Sequence, residues 1–140
     1  MSIRALPHLM FDGNAKEAIH YYKNILDAKV LSIQKYGEIP AFPGMSFPEK
    51  ILDFVAHARL QVGETEMILF DSPGFPRQIG NQAAIYVTTN EVEKTKQIFE
   101  ALKQEGKVIG PLEETSFTPA QGYVKDKFGV AFTIITENKN

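Results

Sequence analysis

The residues best suited to chemistry are His57 and Arg59, two apart in the stretch Asp53–Val62. That stretch alternates: Phe54, Ala56, Ala58, Leu60 and Val62 fall on one side, Val55, His57, Arg59 and Gln61 on the other. A period of two marks a strand whose faces meet unlike environments. An arginine fork beside an imidazole suits a carboxylate or similar oxyanion, with a donor on the histidine that depends on pH. A histidine hydrogen-bonded into a polar patch of the sheet is an equally good reading of His57.

A second set of candidates lies in Gly37–Lys50, where Pro40, Pro43 and Pro48 with Gly37 and Gly44 exclude a ladder and predict a long loop. Its Phe42, Met45 and Phe47 either pack inward or touch a ligand. His20 falls on a helix between core positions and reads as solvated, and no Ser–His–Asp order stands out. Tyr86, Gln121 and Tyr123 read as ordinary strand or loop residues. With no cysteine there is no thiolate nucleophile and no disulfide.

Composition narrows the class. The 140 residues are 44% hydrophobic and 23% charged, the balance of a globular domain. Formal charge is −2 with no basic stripe, which argues against nucleic acid as a partner. No apolar run approaches the ~18 residues of a membrane span, and the N-terminus lacks a signal-peptide layout. The cytoplasm is the expected compartment.

The elements that must position these residues state one plan twice. Residues 5–11 read as a strand, followed by a helix with Asn14 as N-cap, Glu17 completing a capping box, and Ala18, Ile19, Tyr22, Ile25 and Leu26 on one face. Strands at Lys29–Tyr36, Asp53–Val62 and Thr65–Asp71 follow. The second half repeats the order: a strand near Ala83–Val87, then a helix between Asn90 and Gln104 with Val92, Thr95, Ile98, Phe99 and Leu102 on its stripe. Gly106 is its expected stop, and strands at Lys107–Glu113, Gln121–Asp126 and Val130–Thr136 complete it. The prediction is an α+β fold of two βαβββ modules forming a paired half-barrel within one domain, 1–140. Module one covers about 5–71, a linker 72–81, and module two about 82–136.

The stretch Pro7-His8-Leu9-Met10-Phe11-Asp12-Gly13-Asn14-Ala15-Lys16-Glu17-Ala18-Ile19-His20-Tyr21-Tyr22 resembles the opening of PhnB-like proteins. These belong to the vicinal oxygen chelate superfamily, with glyoxalase I, bleomycin-resistance proteins and extradiol dioxygenases. His57-Ala58, Glu114-Thr115 and Asp126-Lys127-Phe128-Gly129-Val130 extend the likeness over about residues 5–136. Two departures stand out: Ser116-Phe117-Thr118-Pro119 replaces an aromatic cluster with Trp, and Phe132 stands where the last strand usually has Trp. The subgroup is often labelled 3-demethylubiquinone 3-methyltransferase-like. A nucleotide-type methyl donor calls for a Gly-rich strand-to-helix turn, and Asp12-Gly13-Asn14 has one glycine, so methyl transfer is not expected.

The resemblance implies metal-ligand positions on the first and last strand of each module. Here they fall on His8 (or Pro7), Ile68, Gln82 or Ala84, and Thr133. That set is a weak chelate, so the expectation is no cofactor, with His8 and Gln82 as the ligands should a divalent metal bind. The family sheet order separates His8 and His57 by one strand, about 9–10 Å, too far to share an ion directly. The leading reading is a small-molecule-binding protein with an anionic ligand as the expectation, working as a homodimer. A metal-dependent lyase, isomerase or dioxygenase-like enzyme comes second, and an interaction protein with a filled pocket third. The candidates for ligand contact are His57, Arg59, His8, Gln82, Phe42 and Phe47.

Overall fold

One helix closing one face of a four-stranded sheet is the building rule of this chain, and it is applied twice. The structure is a computed structural model describing residues 2–39, 47–74, 77–80 and 82–137. Two compact units divide it, Met1–Arg77 and Gln78–Asn140.

The first unit runs β1 (His8–Phe11), α1 (Ala15–Ile25), β2 (Lys29–Lys35), β3 (Val55–Val62) and β4 (Thr65–Asp71). Its sheet order is β1-β4-β3-β2. β1 pairs parallel with β4, and the other pairs are antiparallel. The second unit runs β5 (Ile85–Thr89), α2 (Val92–Lys103), β6 (Lys107–Glu113), β7 (Gln121–Lys125) and β8 (Ala131–Thr136), in the order β5-β8-β7-β6. The parallel pair is again first with last. The expected element order is therefore present in both halves. No helix among the described residues is long and apolar enough to cross a membrane.

Each helix buries the stripe its sequence announces. In α1, Ala15, Ala18, Ile19 and Tyr22 are buried, and Leu26 continues the face just past its end. In α2 the buried set is Thr95, Ile98, Phe99 and Leu102. Burying a large apolar side chain contributes about 1.5–3 kcal/mol, so these stripes hold each helix to its sheet. Ile25, expected in the core, is only half-buried, and Leu26 takes the deeper position. Pro111 is accommodated because β6 is an edge strand with an unpaired side.

Several local expectations need correction. Asn14 does stand at the N-cap, but its side chain makes no capping bond to α1. Its Oδ1 accepts instead from Asp12 N–H at 3.3 Å. Asp71, at the far end of β4, takes the helix N–H of Ala15 on Oδ1 at 3.0 Å. A buried carboxylate is the stronger acceptor, so it displaces the local cap. At the end of α2 the left-handed residue is Glu105, φ 59°, not Gly106. Gly106 is needed for another reason: a Cβ there would lie 2.4 Å from the Lys125 carbonyl. Val55, expected beside His57, is fully buried because a register shift between Gln34 and Lys35 breaks the alternation at that point.

Candidate functional site

Cross-strand partners share a sheet face, so the pairing register says which side chains meet. In the first unit Ala58, Leu60, Met67 and Leu69 are buried, on the same side as the α1 stripe. The opposite face is open. One row across it reads Ser32, Arg59, Ile68, His8, and Gln34 pairs with His57 in the next row. His8 and His57 are both exposed. The His8 ring stacks on Phe70, with centroids 4.5 Å apart and planes at 27°. Met10, 38% exposed, adds to this apolar part of the face.

β4 separates β1 from β3. His8 and His57 thus stand two strand spacings apart, about 9–10 Å, and do not converge on one point.

Arg59 is held by a partner that local patterning did not single out. Its Nε donates to Glu66 Oε1 at 2.9 Å, and Arg4 Nη2 donates to Glu66 Oε2 at 3.1 Å. The Arg59 hydrogen bond draws the Glu66 carboxyl below its usual range, opposed by partial desolvation and helped by Arg4. Arg59 is correspondingly raised by the Glu66 bond. Its side chain still keeps 43% exposure. The signal for this pair was available in hairpin arithmetic. The tight turn at Gly63-Glu64 pairs Val62 with Thr65, hence Gln61 with Glu66, leaving Arg59 diagonal to Glu66 on one face.

The other candidates scatter. Phe47 sets its ring edge against Tyr36, at 5.1 Å and 66°. Phe42 and Met45 lie outside the described residues. Gln82 belongs to no strand. It is exposed and lines an open cavity of about 550 Å³ with Gln78, Ile79, Gly80 and Ala83.

The registers also revise the metal positions. β5 begins at Ile85, and its residue opposite Thr133 is Tyr86. His8 stands opposite Ile68 in the matching parallel pair of the first unit. The four equivalent positions are therefore His8, Ile68, Tyr86 and Thr133, rather than a set containing Gln82 or Ala84. Isoleucine offers no donor atom, and neutral phenol and hydroxyl oxygens are poor ligands for a divalent ion. Among the described residues, no three His, Cys, Asp or Glu side chains are grouped to hold a metal. The chain's donor set does not fit the ion that its fold implies.

Asp71 is the residue that local pattern could not reveal. It is 1% exposed. Oδ1 accepts from Gly13 N–H at 2.8 Å and Ala15 N–H at 3.0 Å, and Oδ2 from Val55 N–H at 2.9 Å. The Tyr36 hydroxyl donates to its backbone carbonyl at 2.6 Å. Burial, with the Asp71 charge, pushes the Tyr36 phenol up. In the second unit a chain of hydroxyls does the corresponding work at the end of β8. Thr95 Oγ1 lies 2.6 Å from Thr136 Oγ1 and 2.7 Å from Thr89 Oγ1, and Thr118 Oγ1 donates to the Thr136 carbonyl at 2.6 Å. The Asp126-Lys127-Phe128-Gly129 motif is structural as well. Asp126 Oδ1 accepts from Phe128 and Val130 N–H, closing the turn where Gly129 has φ 86°.

With this geometry established, comparison with known proteins identifies the class. Two units of this plan form the fold of the glyoxalase/bleomycin-resistance/dioxygenase proteins. A domain of that description from Frankia sp. EAN1pec superposes with a TM-score of 0.66 at 14% identity, over 99% of each chain. The family model described as 3-demethylubiquinone-9 3-methyltransferase matches residues 4–135, and the chain belongs to that family. Protein YjdN of Escherichia coli (strain K12) is 29% identical over 137 residues, covering 91% of each chain. Protein PA1353 from Pseudomonas aeruginosa matches with a TM-score of 0.85 at 28% identity, over 99% of this chain and 100% of its own. A PhnB protein from Bacillus cereus matches at 0.75 and 28%, over 96% and 99%.

Proposed function

We propose that this chain is a small-molecule-binding protein that takes a small organic anion on the open face of the first unit's sheet. In this reading it has no resident metal and carries out no methyl transfer. One observation carries it: among the described residues Arg59 commits only its Nε, to Glu66 at 2.9 Å, and it keeps its side chain 43% exposed on the same face as exposed His57. A guanidinium fixed at Nε presents its terminal nitrogens in a set direction, which suits a planar carboxylate. The His8–Phe70 stack, Ile68 and Met10 supply apolar surface on that face for the body of such a ligand.

The turn between β1 and α1 is poorly suited to methyl transfer. Its amides at Gly13 and Ala15 are bonded to Asp71, so they are not available to cradle a nucleotide-type donor. A Cβ at Gly13 would lie 2.9 Å from the Phe54 ring, which leaves the backbone little open space there.

The reading is tested by calorimetric titration with aromatic carboxylates, each paired with its neutral amide. Carboxylates should bind more tightly than their amides. Equal affinity across the pairs would overturn the anion site. Transfer of a labelled methyl group from S-adenosylmethionine to any quinol in the same preparation would overturn the second half of the reading. Homodimerisation is part of the proposal, and sedimentation showing only monomer at micromolar concentration would count against it.

A further inference from the structure

The Nε of Arg59 is bonded to Glu66 Oε1 at 2.9 Å, so the carboxylate cancels the charge that a ligand anion needs. Two opposite charges in contact present little net field to a third, and an approaching carboxylate is repelled by the Glu66 oxygens as it is drawn to the guanidinium. By itself the pair is a poor receptor for an anion.

A second guanidinium changes that balance. Arg4 Nη2 donates to the other oxygen of Glu66, Oε2, at 3.1 Å. Arg4 lies in the segment ahead of β1, and the backbone shows how it arrives there. Ile68 N–H donates to the Pro7 carbonyl at 2.9 Å, so the parallel pairing of β1 with β4 runs on before His8, toward the start of β4 where Glu66 stands. Glu66, its side chain 16% exposed, is thus bracketed by two guanidinium groups that face solvent. Two cations against one carboxylate leave one positive charge. Lys29, opposite Gln61, and Glu64 in the neighbouring turn are both exposed and opposite in sign, so they leave that balance unchanged.

We infer that Arg4 is the charge-compensating residue of the anion site: by taking the second oxygen of Glu66 it leaves the charge of Arg59 free for one carboxylate, and the segment ahead of β1 thereby sets the affinity for monoanions. This rests on the anion reading of the open face and deepens it. Arg4 acts through Glu66 rather than by touching the ligand, which makes it a positioning residue. Glu66 remains necessary in the arrangement, because it fixes the fork of Arg59 at Nε.

The test is a thermodynamic cycle read by calorimetric titration with benzoate and benzamide at low salt. Arg4→Gln should weaken benzoate binding about five- to tenfold and leave benzamide unchanged. Arg4→Lys, which keeps the charge, should recover most of the loss. In a Glu66→Gln background the Arg59 Nε keeps an acceptor but no carboxylate needs compensating, so Arg4→Gln should there weaken benzoate less than about twofold. Near 1 M salt, where charges are screened within about 3 Å, the Arg4 effect should shrink toward none. Carboxyl NMR should find the Glu66 titration moved upward in Arg4→Gln, since Arg4 helps to hold it down. A wild type that prefers benzoate, beside an Arg4→Gln variant that binds it equally well, would overturn this inference and leave the anion site standing. So would an Arg4 effect of the same size in the Glu66→Gln background, which would mean direct contact with the ligand. A wild type with no preference for benzoate over benzamide removes the anion site, and this inference with it.

Discussion

The carboxylate of Asp71 accepts the Ala15 N–H at 3.0 Å, so the first helix is capped from the end of a strand 56 residues away. The same side chain bonds Gly13 and Val55, tying the β1–α1 turn and the start of β3 to the end of β4. Removing it leaves three buried or part-buried N–H groups without an acceptor. Asp71→Ala is expected to destabilise the protein by about 3–5 kcal/mol. Asn14→Ala should change stability by no more than about 0.5 kcal/mol, since Asn14 caps nothing. Urea unfolding of the two variants checks the contrast, and the reverse order of effects would refute the assignment.

For the anion site, Arg59→Ala should weaken binding of a small aromatic carboxylate about 10- to 150-fold. His57→Ala should leave a smaller loss. Carboxylate affinity that ignores both substitutions moves recognition elsewhere, with Phe47 and Phe42 the next residues to test.

On the surface of the first unit, Asp53 lies between Lys16 and Lys35, the latter at 2.9 Å. The hydrogen bonds from Lys16 and then Lys35 hold its carboxyl down to about 2. A depressed carboxyl contributes stability above its unfolded value and loses it as pH falls through about 2; Lys35, which is raised, loses its share only at high pH. The cluster is exposed, so its contribution to stability is small. Carboxyl NMR should find Asp53 titrating well below ordinary aspartates, and Lys16→Met should move it upward. An ordinary titration in the wild type would refute the arrangement.

At the end of α2, Glu105 sits at φ 59°, a conformation that favours glycine. Glu105→Gly should stabilise the protein by about 0.5–1 kcal/mol. Gly106→Ala should do the opposite, by about 2 kcal/mol or more, since the new Cβ would lie 2.4 Å from the Lys125 carbonyl and 2.8 Å from that of Leu102. Thermal or urea unfolding distinguishes the two. A stabilising Gly106→Ala would show that the backbone there relaxes freely.

Because His8, Ile68, Tyr86 and Thr133 are poor ligands together, purified protein should carry less than one equivalent of divalent cation. Chelator should not lower Tm. An ion that binds only the folded state would stabilise it by mass action, so a drop in Tm with chelator would restore the metal-dependent reading.

The elements themselves were legible in the sequence, because helix and strand periods are local properties. Thr65–Asp71 and Lys107–Glu113 have the same bounds in the structure, and Tyr22, Phe99 and Leu102 are buried on the predicted stripes. The exposed alternation of His57 and Arg59 was also local, whereas Val55 left the pattern at a register shift set by β2. Partners were decided only in three dimensions. Sheet order places β4 between β1 and β3, giving Arg59 its Glu66 and keeping His8 from His57. Parallel pairing of β5 with β8 brings Tyr86, not Gln82, opposite Thr133. Asp71 displaced Asn14 as the cap for the same reason. A hydrogen bond is made to whichever strong acceptor is adjacent in space, and adjacency between distant strands has no periodicity along the chain.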